Sequence, residues 1–368
     1  DLTGTILKGV DLSDRDLAGT TLRGTNLSYS ILTDVNLSGK DLEGTILKGV
    51  DLTDMDMTEI TLEGANLNDA NLSGQDLSDH DLTDVILTGA DLSNSVLPDN
   101  GLSERNFDGT IFNGVNLSGK NLSFSTFHGA SFDNANMENT DISYANFLEV
   151  NLTKIKSKSL AGANLSNIIF AYANLSGNNL DGAALHRGNF QYSNLSGTDF
   201  TGVSSGLIQG ATFTGADLSD TNFEGISFIA KNNDDLILTH TKSFDNIIHM
   251  VNSDCRLGDD TMKYCWESWE KIKKSMNAYA VVPLRIQVND NDVTITFVST
   301  SEFFEANLRG ANLSGSDLTL GFLNSADLTN ADLSNAILAG ADLTDANLTG
   351  VISTEAVLNC KNHPICVN

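Results

Sequence analysis

Leucine recurs at every fifth position. From Leu2 the lattice runs without a miss to Leu152, with Met57, Phe107, Phe112, Phe127, Phe132, Met137, Ile142 and Phe147 as the only substitutes. A helix buries positions at 3.6-residue spacing and a strand at 2, so a strict period of five fits neither. The register slips by three residues between Leu152 and Leu160 and again at Val203–Leu207; it runs on from Ile208 to Phe228 and resumes from Phe303 to Leu348. Around each anchor stand a small residue, then Asp or Asn, the anchor, Ser or Thr, and often Gly. A longer period overlies the short one. Residues 5–12 recur unchanged at 45–52, and Asn-Leu-Ser-Gly-Lys at 36–40 recurs at 116–120. Both shifts are multiples of twenty, which is four five-residue steps.

With 55 anchors and segments such as Ala65-Asn66-Leu67, Ala90-Asp91-Leu92-Ser93 and Ala341-Asp342-Leu343-Thr344, the chain resembles the pentapeptide-repeat family over about four-fifths of its length. The resemblance implies an all-β solenoid, a right-handed quadrilateral β-helix with four pentapeptides per coil. Anchor and small residue would point inward, and the other three positions outward. That gives about 14 coils, and at the ~4.8 Å strand spacing a rod of ~65 Å.

The repeat divides the chain. Residues 1–228 form the first part of the β-helix, 303–350 its final coils, and 351–368 a C-terminal tail or cap. Residues 229–302 lack the repeat and read as an inserted α/β module. Within it, Met262, Cys265, Trp266, Trp269, Ile272 and Met276 fall at helical spacing, predicting an amphipathic helix over Asp259–Tyr279. Leu284–Val288 and Val293–Val298 alternate on either side of Asn289–Asp292 and predict a β-hairpin. Trp266 and Trp269 belong either to the module's own core or to a partner-binding hot spot.

Charge narrows the function. Of 368 residues, 48 are acidic and 21 basic, a formal charge of −27. Wrapping nucleic acid needs a basic stripe, so direct nucleic-acid binding is not expected. No apolar run approaches the ~20 residues of a membrane span. Down one edge, in steps of twenty, run Asp1, Thr21, Asp41, Thr61 and Asp81. Alternation with neutral residues sets those carboxylates ~10 Å apart, near the Debye length. The pair Asp56–Asp76 and the column Asp14, Asp34, Asp54 break the alternation. That column is either a solvated acidic patch or a weak Ca²⁺ candidate.

Some inward small positions hold polar residues instead: Arg15, Lys40, Gln75, His80, Asn100, Arg105 and Lys120. Burying a bare charge is costly, so these chains are expected to leave through a corner and reach solvent. Cysteines fall in two close pairs, Cys255/Cys265 and Cys360/Cys366, which suits local disulfides in an exported protein. The alternative for the second pair is a metal site completed by His363.

No nucleophile, phosphate-loop or zinc-protease motif is present, and the many Asn-Leu-Ser/Thr triplets arise from the repeat itself. No enzyme activity and no cofactor are expected. Three functions fit. The first is a non-enzymatic rod that binds protein partners or itself, end to end through uncapped coils. The second comes from the resemblance, in which some members mimic DNA and bind bacterial type II topoisomerases. The third, also a role of some members, is a secreted effector acting on a host protein. The expected location is extracellular or at the cell surface, with the cytoplasm as the alternative.

Overall fold

The computed structural model describes residues 1–53, 55–203, 208, 211–224, 226 and 302–366, together with the backbone of six strands between 229 and 300. Over the repeat, the backbone pairs not with its sequence neighbour but with the residue twenty further on. Parallel bridges join Ile6 to Asn26, Asn26 to Ile46, Ile46 to Asn66 and Asn66 to Ile86. Three more columns run beside this one, through Asp11–Ile31, Asp76–Val96 and Asp41–Thr61. Four five-residue sides thus close one turn of a β-helix, and the N–H and C=O of each side bond to the turns above and below. Leu27 N–H, for example, donates to Ile46 O at 2.8 Å, while Asn26 N–H donates to Thr5 O at 2.8 Å.

Each corner is a β-turn. The N–H three residues after an anchor donates back to the anchor carbonyl, as from Thr5 to Leu2 O at 3.0 Å. At most corners the third turn residue is left-handed, as at Gly4 (φ 66°), which is the type II signature. Gly fills many of these positions because it lacks a Cβ, and Asp, Asn, Glu and Tyr fill others, including Asp14 (φ 58°) and Tyr29 (φ 57°). The Asp or Asn before each anchor has its own duty. Its Oδ1 accepts the N–H two residues on, at 2.9 Å from Ser13 to Asp11 and 3.0 Å from Ser28 to Asn26. That bond holds the side flat just ahead of the corner.

Every described anchor from Leu17 to Leu343 is buried, while Leu2, Leu7, Leu12 and Leu348 are partly so. One interior column changes from Leu to Phe and stacks. Phe107, Phe127, Phe147, Phe170, Phe190, Phe213 and Phe303 follow one another with centroid spacings of 5.4, 4.4, 5.3, 5.7, 5.2 and 5.3 Å. Rings one turn apart stand close enough for direct aromatic contact, so the column is continuous along the interior.

Irregularities in the sequence lattice are absorbed at corners. The first three-residue slip is a 3₁₀ turn at Lys156–Lys158, with Ser157 at φ 56° and Lys158 at φ 47°. Across it the bridges become Asp141–Asn164, Asn146–Ile169 and Asn151–Asn174, a separation of 23 residues, and they then return to twenty. Across residues 229–301 they become Thr212–Glu302, Asp217–Asn307 and Asn222–Asn312, so the helix resumes in register.

Between those turns lie β1 (Ile229–Lys231), β2 (Leu236–Thr239), β3 (Arg256–Leu257), β4 (Lys263–Tyr264), β5 (Val282–Val288) and β6 (Asp292–Thr300). Strand β6 pairs antiparallel with β5, β1 and β2, with Val288 opposite Val293 and Ile229 opposite Thr300. Strands β3 and β4 form a separate two-stranded pair. The helix expected over Asp259–Tyr279 is corrected at Lys263–Tyr264, which pair as strand with Arg256–Leu257. The remainder of that segment, with Trp266, Trp269 and Cys265, lies outside the described residues, as does Cys255 before it.

Candidate interaction surfaces

Several inward polar residues follow a rule that the sequence did not reveal. Their side chains reach the anchor carbonyl 23 residues earlier, one turn plus three, whereas Thr5, Thr20, Ser193 and Ser316 bond to the anchor carbonyl three residues before them. Thr45 Oγ1 donates to Leu22 O at 3.0 Å and Thr110 Oγ1 to Leu87 O at 2.9 Å. Longer side chains use the same acceptor. Lys40 Nζ donates to Leu17 O at 2.7 Å and Thr20 O at 3.2 Å, and Gln75 Nε2 to Leu52 O at 2.6 Å. His80 Nε2 meets Met57 O at 2.9 Å, and Arg105 donates to Leu82 O at 2.7 Å and to Val85 O.

The expectation that these chains leave for solvent is therefore corrected for Lys40, Gln75, His80 and Arg105. A corner carbonyl has a second lone pair, and using it satisfies the polar group inside. Burial pushes the Arg105 guanidinium down from its ordinary value, against the pull of Asp84 and Asp81. Lys120 is intermediate, donating to Pro98 O at 3.1 Å and to Asp99 Oδ1 at 2.9 Å. Arg15 and Asn100 are exposed.

The outer walls carry the charge, and carry it unevenly. Residues 1–100 hold 19 acids and 5 bases, whereas residues 101–215 hold 8 acids and 6 bases. Local bonds act on some of these carboxylates. The hydroxyl and N–H of Thr58 hold Asp56 below the ordinary carboxylate range, and those of Ser78 do the same for Asp76. Ion pairs cross from turn to turn, joining Arg23 to Asp41 and Glu43, Lys48 to Asp69, Lys154 to Asp133 and Arg309 to Asp327.

Asp14 and Asp34 are exposed at successive left-handed corners beside a hollow of ≈ 380 Å³ that Arg15, Asn36 and Lys40 also line. Asp54 lies outside the described residues. Among the described residues no three His, Cys, Asp or Glu converge on a metal position. A second hollow, of ≈ 450 Å³, is lined by Met55, Met57, Glu59, Gln75, Asp76 and His80. Both are shallow outer grooves rather than enclosed clefts.

At the C-terminal end Cys360 and Cys366 are joined in a disulfide, with Cα atoms 4.9 Å apart. Both thiols are consumed, so neither is a thiolate ligand beside His363. The closed loop carries Ile365 onto the core and is tied down by Asn362, whose Nδ2 donates to Asp342 Oδ1 at 3.0 Å and Thr344 Oγ1 at 3.0 Å. No helix among the described residues is long and apolar enough to cross a membrane.

Exposed aromatic residues on the walls are a further feature that the lattice did not predict. Phe124 stacks on Tyr144 with ring centroids 4.5 Å apart, and Tyr172 on Tyr192 at 5.2 Å. All four project from corners, the first pair on one edge and the second on the next. Their only sequence signal is a large ring where the lattice usually has Gly.

The family pattern described as "Pentapeptide repeats (8 copies)" matches residues 1–34, 32–64, 65–98, 159–191, 169–204, 208–229, 299–320 and 323–352, and "Pentapeptide repeats (9 copies)" matches 106–155. The chain belongs to the pentapeptide-repeat family. Among solved pentapeptide-repeat structures it is similar to HetL of the cyanobacterium Nostoc sp. strain PCC 7120, a protein involved in heterocyst differentiation regulation. Identity is 20% over 93% of this chain and 91% of HetL, with a TM-score of 0.16. It is similar also to QnrB1, a plasmid-mediated fluoroquinolone resistance protein, at 24% identity over 59% of this chain and 81% of QnrB1, TM-score 0.16. A third is AT2G44920 from the Arabidopsis thaliana thylakoid lumen, at 15% identity over 50% of this chain and 88% of that protein, TM-score 0.13. No curated protein matches. Membership in the pentapeptide-repeat family rests on the repeats themselves.

Proposed function

We propose that this chain is a non-enzymatic scaffold that binds protein partners along the outer walls of its β-helix. One observation carries the reading. The twenty-residue register fills the interior with anchors and the small residues two before them, and turns the remaining positions into straight outward ladders, as in the columns through Asn26 and Asp41. Such walls offer large rigid surfaces suited to another protein. The finer architecture belongs to the same proposal: about 14 coils, an α/β module at 229–302 and a cap at 351–368. So does end-to-end association, since any rung left unpaired presents a strand edge. Export is supported by the Cys360–Cys366 pairing. Photo-crosslinking residues placed at the exposed corners Gly129 and Asn134, in the cells that make the protein, should yield discrete protein adducts. No adduct from any outward position would overturn the reading.

A second reading has one observation in its favour. The concentration of acids in residues 1–100 supports an imitation of nucleic acid that engages a type II topoisomerase. Potent inhibition in a supercoiling assay would promote it over the first, and its absence is expected.

A further inference from the structure

Two neighbouring corners repeat one arrangement. On the first, Glu104 (φ 58°), Phe124 (φ 59°) and Tyr144 (φ 58°) hold the same left-handed position in successive turns. Glu104 N–H donates to Ser123 O at 2.8 Å and Phe124 N–H to Ser143 O at 2.9 Å, which fixes their register. On the second corner, Glu149 (φ 61°), Tyr172 (φ 58°) and Tyr192 (φ 54°) do the same, with Glu149 N–H to Ala171 O at 3.1 Å and Tyr172 N–H to Gln191 O at 2.9 Å. In each ladder a carboxylate stands one turn before a stacked aromatic pair. Tyr144 covers one face of the Phe124 ring at an interplanar angle of 4°, and Tyr192 one face of the Tyr172 ring at 18°. The opposite faces look toward the turns that carry Glu104 and Glu149.

These rings are half exposed, at 55% and 52% for Phe124 and Tyr144, and 58% and 48% for Tyr172 and Tyr192. Bulky side chains at left-handed corners are conformationally unfavourable, and here stacking in pairs covers only about half of their surface. Neither Glu104 nor Glu149 forms an ion pair with a described residue. A third corner aromatic already has a cation beside it. Lys8, next to Gly9 at the corner one turn before Tyr29, holds Nζ 5.7 Å from the centroid of that ring.

We infer that the slots Glu104/Phe124 and Glu149/Tyr172 bind the arginine side chains of an extended basic segment of a protein partner. A guanidinium is flat, stacks on an aromatic face and offers its edge to a carboxylate, so one group satisfies both halves of a slot. The −27 charge of the chain draws a basic partner in, and the low charge of residues 101–215 leaves the choice of contact to these slots. The slots lie two turns apart along the axis, roughly 10 Å, and on opposite edges of one wall. Arginines four residues apart in an extended chain, about 13 Å, suit that span. This assignment rests on the protein-binding reading above and names the chemistry of the partner.

The test uses the full chain and a fluorescent peptide with two arginines separated by three glycines, its two-lysine counterpart as comparison, and anisotropy in 0.15 M salt. The arginine peptide should bind more tightly than the lysine one. The charge-preserving variant Phe124→Leu/Tyr172→Leu should weaken it at least fivefold, as should Glu104→Gln/Glu149→Gln. Neutralising the distant Glu63 and Asp69 should leave it unchanged. Melting curves establish that each variant is folded, and the glutamate pair decides the matter if the aromatic pair does not fold. Equal binding by wild type and the aromatic variant, or equal loss from the distant neutralisation, would reduce the effect to polyelectrolyte attraction and overturn the assignment. So would a dimer of this chain that the aromatic variant dissolves without change in peptide affinity. A chain that ignores the peptide yet still gives discrete protein adducts would overturn the slots and leave the protein-binding reading standing.

Discussion

The ring of Phe147 lies 4.4 Å from that of Phe127, one turn of the β-helix away, and both are fully buried. The contact is the local form of what holds the whole molecule together. Side chains with no sequence proximity are stacked by the twenty-residue register into a continuous column. Phe147 also meets Phe132 at 5.5 Å and Phe170 at 5.3 Å, so its removal opens a cavity bounded on several sides. Phe147→Ala is expected to destabilise the protein by about 3–5 kcal/mol. Phe147→Leu, which restores the residue of the neighbouring lattice, should lose less than half of that. Denaturant unfolding of the two variants checks the ratio.

Gln75 tests the carbonyl rule. Its amide donates to Leu52 O, Thr53 O and Met55 O at 2.6, 2.9 and 3.0 Å from a buried position. Gln75→Ala removes these bonds, leaving Leu52 O with only the N–H of Met55 at 3.2 Å, and should lower stability by about 1–3 kcal/mol. Gln75→Thr, the residue that makes this bond at Thr45 and Thr110, should recover part of the loss. Equal midpoints for all three proteins would contradict the rule.

Corner glycines differ in what surrounds them, and the difference is measurable. A Cβ at Gly49 (φ 64°) would stand 2.5 Å from the Tyr29 ring, whereas one at Gly4 (φ 66°) would meet nothing within 4 Å. Both substitutions by Ala place an L-residue in a left-handed corner, at about 1–2 kcal/mol. Only Gly49→Ala adds the collision. It should destabilise more than Gly4→Ala, and the excess should vanish in a Tyr29→Ala background. A double-mutant cycle on melting temperature reads the coupling.

Acid should loosen the C-terminal turns. Burial alone would raise the Asp342 carboxyl, but bonds from Thr344, Asn324 and Asn362 outweigh it and hold the group below its ordinary value of 3.8. A depressed folded-state value contributes stability above the unfolded one and loses it as pH falls through the folded one. The loss is therefore expected below about pH 4, from an ordinary value of 3.8. Melting temperature measured from pH 6 to pH 2.5 should fall, and Asp342→Asn should flatten the part of the fall that this group contributes.

Much of this was legible in the sequence because the lattice is itself a structural coordinate. The five-residue spacing names the inward anchors, and repeats at forty and eighty residues reveal four sides to a turn. Three features were hidden for physical reasons. The carbonyl rule depends on a second lone pair one turn away, which no local pattern encodes. The acid–aromatic corners join residues such as Glu149 and Tyr172, whose separation includes the three-residue slip at Lys156–Lys158 and so falls off the simple count of twenty. Between residues 229 and 302 the helical spacing from Met262 to Met276 meets the described structure only at Lys263–Tyr264, which pair as a strand with Arg256–Leu257. A partner strand decides those two residues, and spacing alone does not reveal it.

The central claim is that the anchors fill a closed interior while the residues beside them face outward. Thermal unfolding of Leu77→Asp against Ser78→Asp tests it most directly, since Leu77 is fully buried and its neighbour is exposed. The expected result is loss of the cooperative transition, or a fall of many degrees, for Leu77→Asp, with Ser78→Asp melting close to wild type. Equal melting of the two variants would contradict the account.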